Sequence, residues 1–370
     1  MVKVRLSKSS LSIREIFSVI KVLKKGFLGM GNETMLFEQE LSSFFGRQAV
    51  CVNTGTSALH LACQALGLKE GDEVLVQSIT YVASFQAISA TGATPIPCDI
   101  NLSTLQIDLE KAKGKISVNT KAIMPVFIGG YPGELDEIYR FAEKNKLRVI
   151  EDAAHAFGSK HNDKYIGSFG DITCFSLDGI KNITSGEGGV VVSADADLME
   201  RVKDLRLLGV EKDSENRYKG LRSWDFDVKE QGWRYHMSDI NAAIGRVQLK
   251  RRDELALKRQ RIALLYRKVI RERYQMSEMW NYNDIVPHVF IVMFDTNAKR
   301  EKCKLKLLDL GVQTGLHYKP NHLLTFFAQP NTKGDFINSE YYYSHALTLP
   351  MHPDLRQSEI KKIARIVNNI

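Results

Sequence analysis

The 370-residue sequence has few cysteines and no long apolar run. Its five cysteines are odd in number and scattered, mostly inside apolar stretches, which favours reduced core thiols over disulfides or a metal site. No run of about 18 consecutive apolar residues is present, so no membrane-spanning helix is predicted. Residues 1–8 lack the apolar core of a secretory signal. We therefore expect a cytoplasmic protein with no metal and no membrane partner.

The sequence also lacks a basic tail, although its net charge is +8 and its pI is near 9.1. Lysines and arginines are spread along amphipathic helical patterns such as residues 250–254, so nucleic-acid binding is not expected. The surplus positive charge suits an anionic substrate such as a nucleotide diphosphate. With 44% hydrophobic and 25% charged residues, the chain can bury a large core.

Strand and helix patterns alternate up to about residue 195, which predicts an open, mostly parallel sheet covered by helices on both faces. A helix is predicted at 12–25, and strands at 49–52, 73–76, 147–150 and 188–193. A helical pattern over 238–272 leads into a smaller unit with a strand at 288–294 and helices at 300–310 and 358–367. We predict a large domain over 1–250 and a small C-terminal α/β domain over 251–370.

Two predicted strands are followed by side chains that suit a phosphorylated, planar ligand. After strand 49–52, Gly55, Thr56 and Ser57 open a helix, where free N–H groups and hydroxyls can bind a phosphate. The alternative is an ordinary N-cap. After strand 73–76, Tyr81 can stack on a planar ring, although a core tyrosine is the favoured interpretation of this residue by itself.

An acid follows the predicted strand 147–150, and a lysine lies before the predicted strand 188–193. Asp152 lies at the end of strand 147–150, where it can pair with a protonated ring nitrogen or cap the next helix. Lys181 lies among small polar residues and glycines in the segment 176–189 and can form a Schiff base with a carbonyl cofactor. For a single lysine, the alternative is a solvated loop side chain.

The order of phosphate turn, aromatic residue, strand-end aspartate and lysine resembles that of pyridoxal-phosphate enzymes with the aspartate aminotransferase fold (fold type I). Within these, the chain resembles the DegT-type nucleotide-sugar aminotransferases. The motifs that occur in the family's order include NTGTSALHLA, EDAAHAFGSK, GSFGDITCFSLDGIKNITSGEGG and YHMSDINAAIGRVQL. The resemblance implies a three-layer α/β/α fold with a mostly parallel central sheet, and pyridoxal 5'-phosphate, alternating with its pyridoxamine form, as cofactor.

The resemblance also implies roles for individual residues. Lys181 would be the Schiff-base lysine and proton carrier, Asp152 the partner of the pyridine nitrogen, and Tyr81 the stacking aromatic residue. His155 occupies a position where the family often has a glutamine that contacts the ring hydroxyl, and an imidazole can make the same hydrogen bond. The residues expected to bind the cofactor phosphate are Gly55, Thr56, Ser57 and Ser176.

One segment departs from the family pattern, and this segment concerns assembly with a second copy of the chain. Arg234 stands where the family often has an asparagine that reaches the neighbouring subunit's cofactor phosphate, and a guanidinium can bind the same group. This implies a homodimer with shared active sites. His236 stands where the family often has an arginine. His317 and Tyr318 are expected to touch the sugar nucleotide, with a structural hydrogen bond as the alternative for His317.

The family resemblance predicts amino transfer from glutamate to a nucleotide-linked 4-keto-6-deoxyhexose for surface polysaccharide or O-antigen biosynthesis. The favoured reaction converts dTDP-4-keto-6-deoxyglucose to dTDP-4-amino-4,6-dideoxyglucose. A GDP-perosamine-type reaction, UDP-linked sugars and amination at C3 stay open. Sugar 3-dehydratases of the family replace the lysine by histidine, which Lys181 argues against. A desulfurase or decarboxylase of the same fold and a regulatory relative without catalysis also stay open.

Overall fold

The structure is a computed structural model that describes residues 3–221, 224–274, 280–328 and 334–370. The strands are β1 (Gln48–Val52), β2 (Glu73–Gln77), β3 (Thr94–Cys98), β4 (Thr120–Met124), β5 (Arg148–Asp152), β6 (Lys160–His161), β7 (Lys164–Tyr165), β8 (Ile172–Ser176), β9 (Gly189–Ser193), β10 (Phe290–Met293) and β11 (Ala346–Leu349).

The helices alternate with these strands in the first half of the chain and dominate the second half. They are α1 (Ile13–Lys25), α2 (Asn32–Phe45), α3 (Gly55–Ala65), α4 (Val82–Ser89), α5 (Leu109–Lys113), α6 (Leu135–Lys144), α7 (Ala196–Leu205), α8 (Asp213–Tyr218), α9 (Asp239–Lys250), α10 (Arg252–Val269), α11 (Asn297–Asp309), α12 (Ile337–His345) and α13 (Gln357–Asn368). None of these described helices is long and apolar enough to cross a bilayer.

Within the described residues, seven strands form the central sheet in the order β1-β9-β8-β5-β4-β2-β3. Strands β3, β2, β4, β5 and β8 are parallel, and β9 is antiparallel to both of its neighbours. The carboxyl ends of the parallel strands therefore meet at one edge of the sheet, which is where open α/β sheets bind ligands. The segment between β8 and β9 turns back at this edge and carries Lys181.

Side chains of successive strand residues point to opposite faces of the sheet and build two separate cores. On one face, Val50 and Val74 pack in a cluster with residues of α3, α4 and α7. On the other face, Cys51 and Leu75 pack in a cluster with residues of α2, α6 and α9. The three-layer α/β/α architecture with a mostly parallel sheet is confirmed.

The C-terminal unit packs onto the first of these cores. Strands β10 and β11 form an antiparallel pair whose buried residues share a core cluster with residues of α10, α11 and α13. The pattern over 238–272, expected as one helix, forms two helices that are separated at Arg251. The Arg251 side chain is buried and its Nη1 donates to Glu15 Oε1 at 2.6 Å, which ties the break to α1. The predicted domain boundary near residue 250 stays a prediction.

A buried ion pair joins the end of α7 to α2. Arg206 is fully buried, its Nη1 contacts Glu38 Oε1, and the same nitrogen donates to the carbonyl of Cys51 at 2.7 Å. The Tyr218 hydroxyl also donates to Glu38. Because both charges are shielded from water, removing one partner would leave the other unpaired in a medium that solvates it poorly.

We expect Glu38→Gln to lower the free energy of unfolding by about 3 kcal/mol, because the Arg206 charge would then be buried without an anion. Urea denaturation of both chains measures this change. The matched control is Glu211→Gln, since Glu211 pairs with Lys229 in an ion pair whose side chains are 55% and 67% exposed. That variant should change stability by about 0–1 kcal/mol, and equal losses in the two variants would contradict the account.

Candidate active site

A cavity of about 420 Å³ opens at the carboxyl edge of the parallel strands. It is lined by the turn after β1, by the ends of β5 and β8 and by the segment that follows β2. Nine residues singled out from the sequence line it together, namely Gly55, Thr56, Tyr81, Asp152, His155, Ser176, Lys181, His317 and Tyr318. Residues from the first and the last quarter of the chain thus share one site.

Two predicted site residues do not line this cavity. The Ser57 hydroxyl donates to Asn53 Oδ1 at 2.7 Å and lies 2.8 Å from Thr54 Oγ1, so it shapes the turn after β1. Arg234 is exposed and lies outside the cavity, where its backbone bridges to Leu207. Within one chain, therefore, Arg234 does not contribute to the site.

The turn between β1 and α3 is built for a close approach of backbone to ligand. Thr54 caps α3 by accepting the N–H of Ser57 at 3.0 Å, and the first N–H groups of a helix have no acceptor inside it. At Gly55, a Cβ atom would lie 2.7 Å from the Cβ of Ser176, so only glycine fits beside the end of β8. The positive end of the α3 dipole and the Ser176 hydroxyl suit an anionic group.

Asp152 is 5% exposed and its carboxylate is held from two sides. Ser84 Oγ donates to Oδ2 at 2.7 Å, and the N–H of Ala154 donates to Oδ1 at 3.2 Å. Burial raises the pKa of Asp152, while the two hydrogen bonds and the nearby Lys181 oppose that rise. The chain continues after Asp152 in turns up to Gly158, so the alternative that Asp152 caps a helix does not hold.

Lys181 lies in the turn that connects β8 with β9. Its N–H donates to the carbonyl of Asp178 at 3.0 Å, and its side chain faces the cavity. Burial lowers the pKa of Lys181 to about 8, Asp152 and Asp178 oppose the shift, and Arg259 adds to it. An amine with this pKa is largely unprotonated in mildly alkaline solution and can attack a carbonyl carbon.

His155 is a neutral hydrogen-bond donor in this arrangement. The N–H of Gly129 donates to His155 Nδ1 at 3.3 Å, which leaves the ring proton on Nε2, 2.9 Å from the Tyr318 hydroxyl. Burial lowers the pKa of His155 well below its usual range. The ring also packs against His288 with centroids 4.1 Å apart. Tyr81 is 60% exposed and its ring centroid lies 5.6 Å from that of Tyr318.

Sequence reasoning missed Ser84, which holds the Asp152 carboxylate. Ser84 lies three residues after Tyr81, in the first turn of α4. The available signal was a hydroxyl in the first helical turn after a strand end. Arg259 was also missed, because nothing in the pattern of α10 distinguishes it from the other basic residues of that helix. No cluster of His, Cys, Asp and Glu side chains suited to a metal ion occurs in the described part of the chain.

Comparison with known proteins identifies a matching family and a protein of similar sequence. The model of the DegT/DnrJ/EryC1/StrS aminotransferase family matches residues 10–368. The spore coat polysaccharide biosynthesis protein SpsC of Bacillus subtilis (strain 168) is 33% identical over 365 residues, which cover 96% of this chain and 94% of that protein. The family match includes all of the cavity-lining segments.

Solved structures of similar shape agree with this result. Spr1654 of Streptococcus pneumoniae, solved in PMP form, superposes with a TM-score of 0.91 at 27% identity, covering 98% of this chain and 96% of that chain. The same protein is solved in PLP form. Helicobacter pylori PseC, an aminotransferase involved in the biosynthesis of pseudoaminic acid, has a TM-score of 0.90 at 26% identity, covering 99% and 98% of the two chains.

The depressed pKa of His317 makes folding stability depend on pH. Burial, and to a smaller extent the charge of Lys181, lower this pKa from 6.5 to about 4. As the pH falls below 6.5, His317 takes up a proton more readily in the unfolded chain than in the folded chain. The stability that neutral His317 contributes is therefore lost as the pH falls from 6.5 towards 4.

The native chain should lose unfolding free energy when the pH is lowered from about 7 to about 5. We expect this loss to be about 2 kcal/mol smaller in His317→Gln, which has no imidazole to protonate at this position. Glutamine can still bond Thr348 Oγ1, which lies 3.0 Å from His317 Nδ1. Urea denaturation at both pH values measures the difference. The same substitution at His345, outside the cavity, is the control, and an unchanged pH dependence in His317→Gln would refute the assignment.

Proposed function

The chain belongs to the DegT/DnrJ/EryC1/StrS aminotransferase family, and from this we propose that it transfers the amino group of glutamate to a nucleotide-linked 4-keto-6-deoxyhexose. The favoured acceptor is dTDP-4-keto-6-deoxyglucose, and the product is then dTDP-4-amino-4,6-dideoxyglucose. A role in surface polysaccharide synthesis is supported by the name of the relative SpsC. The observation that carries the proposal is that the Lys181 amine and the buried Asp152 carboxylate share one cavity.

The residues of this cavity fit pyridoxal phosphate, the cofactor of the family. The cofactor requires an amine for its aldehyde, an acid for its ring nitrogen and an anion site for its phosphate. Lys181 and Asp152 supply the first two. The N-terminus of α3 with Thr56 and Ser176 supplies the third. When bound, pyridoxal phosphate provides an aldehyde and a protonated ring that draws electrons from the substrate carbon.

The protein side chains have distinct tasks in such a transfer. Lys181 has a pKa of about 8, so it can both accept and return a proton near neutral pH. Asp152 is fixed by Ser84 and Ala154, so its carboxylate can hold a proton on the ring nitrogen without moving. His155 offers its Nε2 proton to an oxygen at the cavity wall, which is the task expected of it towards the ring hydroxyl.

His317 and Tyr318 are proposed to contact the sugar nucleotide. The Tyr342 hydroxyl donates to the His317 carbonyl at 2.6 Å, and His317 Nδ1 lies 3.0 Å from Thr348 Oγ1. Both bonds hold the segment rigidly at the cavity wall, and a fixed hydroxyl and imidazole can select a sugar by its hydroxyl pattern. The net charge of +8 favours an anionic nucleotide sugar.

We further propose a homodimer in which Arg234 serves the partner's cofactor phosphate. Lys181 is the only lysine or arginine among the described residues that line the cavity, so a bound phosphate finds no other cation from its own chain. Arg234 is exposed and free to reach a second copy. An uncovered apolar face on α1 supports the same assembly, since it exposes Ile13, Ile16, Phe17, Ile20 and Leu23.

The reaction itself is tested with purified protein and pyridoxal phosphate. We expect a bound chromophore that glutamate bleaches and that one member of a panel of keto-sugar nucleotides restores, because the amine leaves the cofactor with that sugar. Borohydride should fix the chromophore to the chain. Lys181→Ala should retain the fold and lose this fixation.

The panel includes dTDP-, GDP- and UDP-linked 4-keto sugars and 3-keto sugars, and the product is identified by mass spectrometry and NMR. Restoration by a GDP- or UDP-linked sugar, or amination at C3, would replace the favoured acceptor. A chromophore that glutamate does not bleach would refute the aminotransferase proposal and point to a different reaction of the fold.

The cross-subunit role of Arg234 has its own test. We expect Arg234→Ala to weaken binding of pyridoxal phosphate by about tenfold or more, because a charge-assisted bond to the phosphate is lost. Equilibrium dialysis measures the affinity, and analytical ultracentrifugation shows whether the dimer persists. The matched control is Arg140→Ala, an exposed arginine on α6 that does not line the cavity. Unchanged affinity in Arg234→Ala, or a monomer that binds the cofactor fully, would contradict the shared site.

A further inference from the structure

Arg259 on α10 is a buried cation without an acidic partner. It is 1% exposed, and no carboxylate among the described residues lies within ion-pair distance of it. By contrast, Arg206, which is also fully buried, is paired with Glu38. Burying an unpaired charge costs folding free energy, so retaining one calls for a specific use of that charge.

Within the described part of the chain, the hydrogen-bond acceptors of the Arg259 guanidinium are backbone carbonyls of three separate segments. Its Nη2 donates to the carbonyls of Ile180 and Lys181, each at 3.2 Å. Its Nη1 donates at 3.4–3.5 Å to carbonyls beside β10 and at the end of β11, those of Pro287, His288 and Met351. The side chain therefore ties the peptide of Lys181 to the C-terminal unit.

The carbonyl of Gly179, which precedes those of Ile180 and Lys181, accepts a hydrogen bond from an uncharged side chain. Ser9 Oγ donates to the Gly179 carbonyl at 2.5 Å. Three consecutive carbonyls of the lysine turn, at positions 179, 180 and 181, are thus bound by side chains from distant segments. Ser9 provides a hydrogen bond without charge, whereas Arg259 provides hydrogen bonds and a positive charge, so the two contributions can be separated by mutation.

Arg259 stays positively charged at neutral pH, whereas the other ionisable groups around Lys181 described here are acidic or uncharged. Asp152 and Asp178 attract a proton to the amine, and Glu187 at the cavity wall has a pKa raised by burial and by Asp178. Burial lowers the pKa of three nearby imidazoles, those of His155, His288 and His317, so they are uncharged at neutral pH. Burial raises the pKa of the Tyr318 hydroxyl, which is also uncharged.

We propose that Arg259 is a positioning residue for the amino transfer, which fixes the peptide of Lys181 and whose unpaired positive charge opposes protonation of the Lys181 amine. The inference rests on the proposed function for its biological meaning. Its physical content is a coupling between two side chains of the chain itself, and that coupling is present with or without a cofactor.

The test measures the reactivity of Lys181 as a function of pH in the full-length, cofactor-free chain. Brief treatment with an amine-acylating reagent and peptide mass spectrometry gives the pH of half-maximal labelling. In the native chain this midpoint should lie well below that of the exposed Lys361 in the same digest. In Arg259→Gln it should rise by on the order of one pH unit, because a cation that opposes protonation is gone.

Two controls separate charge from hydrogen bonding. Arg259→Lys keeps the charge and should leave the midpoint near the native one, although fewer carbonyls are bound. Ser9→Ala removes a bond to the same turn without a change of charge and should also leave the midpoint unchanged. As a second readout, the pH dependence of the colour of bound pyridoxal phosphate should move in the same direction in Arg259→Gln.

Equal midpoints in Arg259→Gln and the native chain would overturn the proposal, as would a rise in Arg259→Lys as large as that in Arg259→Gln. If Arg259→Gln does not fold, a Lys181 midpoint in the native chain equal to that of Lys361 would also overturn the proposal. The labelling needs neither cofactor nor sugar. A chain that shows the shift but transfers no amine would refute only the proposed function.

Discussion

An amine and a carboxylate face one cavity at the point where the neighbouring strands β5 and β8 end, and the rest of the site depends on this pair. Burial disfavours the charged form of both Lys181 and Asp152, while each favours the charged form of the other. The balance leaves the pKa of Lys181 at about 8 and the Asp152 carboxylate available to a cationic ring. Small displacements of either group would upset that balance, so both need rigid support.

The support comes from parts of the chain that are distant in sequence. Ser84 and Ala154 hold the carboxylate, and Arg259 holds the peptide of the lysine. Asn321 Nδ2 donates to the carbonyls of Ser78 and Thr80 at 3.1 and 2.8 Å, which fastens the segment with Tyr318 to the loop with Tyr81. The C-terminal unit thus closes a cavity whose floor is the edge of the central sheet.

Prediction from sequence succeeded where local pattern and strand direction carry the information. The strand ends before Gly55 and Asp152 were visible as short apolar runs, and parallel strands bring their carboxyl ends to one edge. Ser57 was assigned to the phosphate by the same logic, yet its hydroxyl turns to Asn53, a choice of rotamer that spacing does not encode. Ser84 went unnoticed because its contact with Asp152 spans 68 positions of the chain.

Apolar periodicity and glycine placement are local properties of the chain, and they were sufficient to predict a mostly parallel sheet with helices on both faces and the strand ends that carry the site. The pKa shifts of Lys181, His155 and His317, by contrast, depend on tertiary packing. Desolvation depends on which side chains pack around a group, and those come from α10 and from the segment after residue 310. Arg259 illustrates the limit, since its burial without an anion appears only when α10 is docked against the lysine turn.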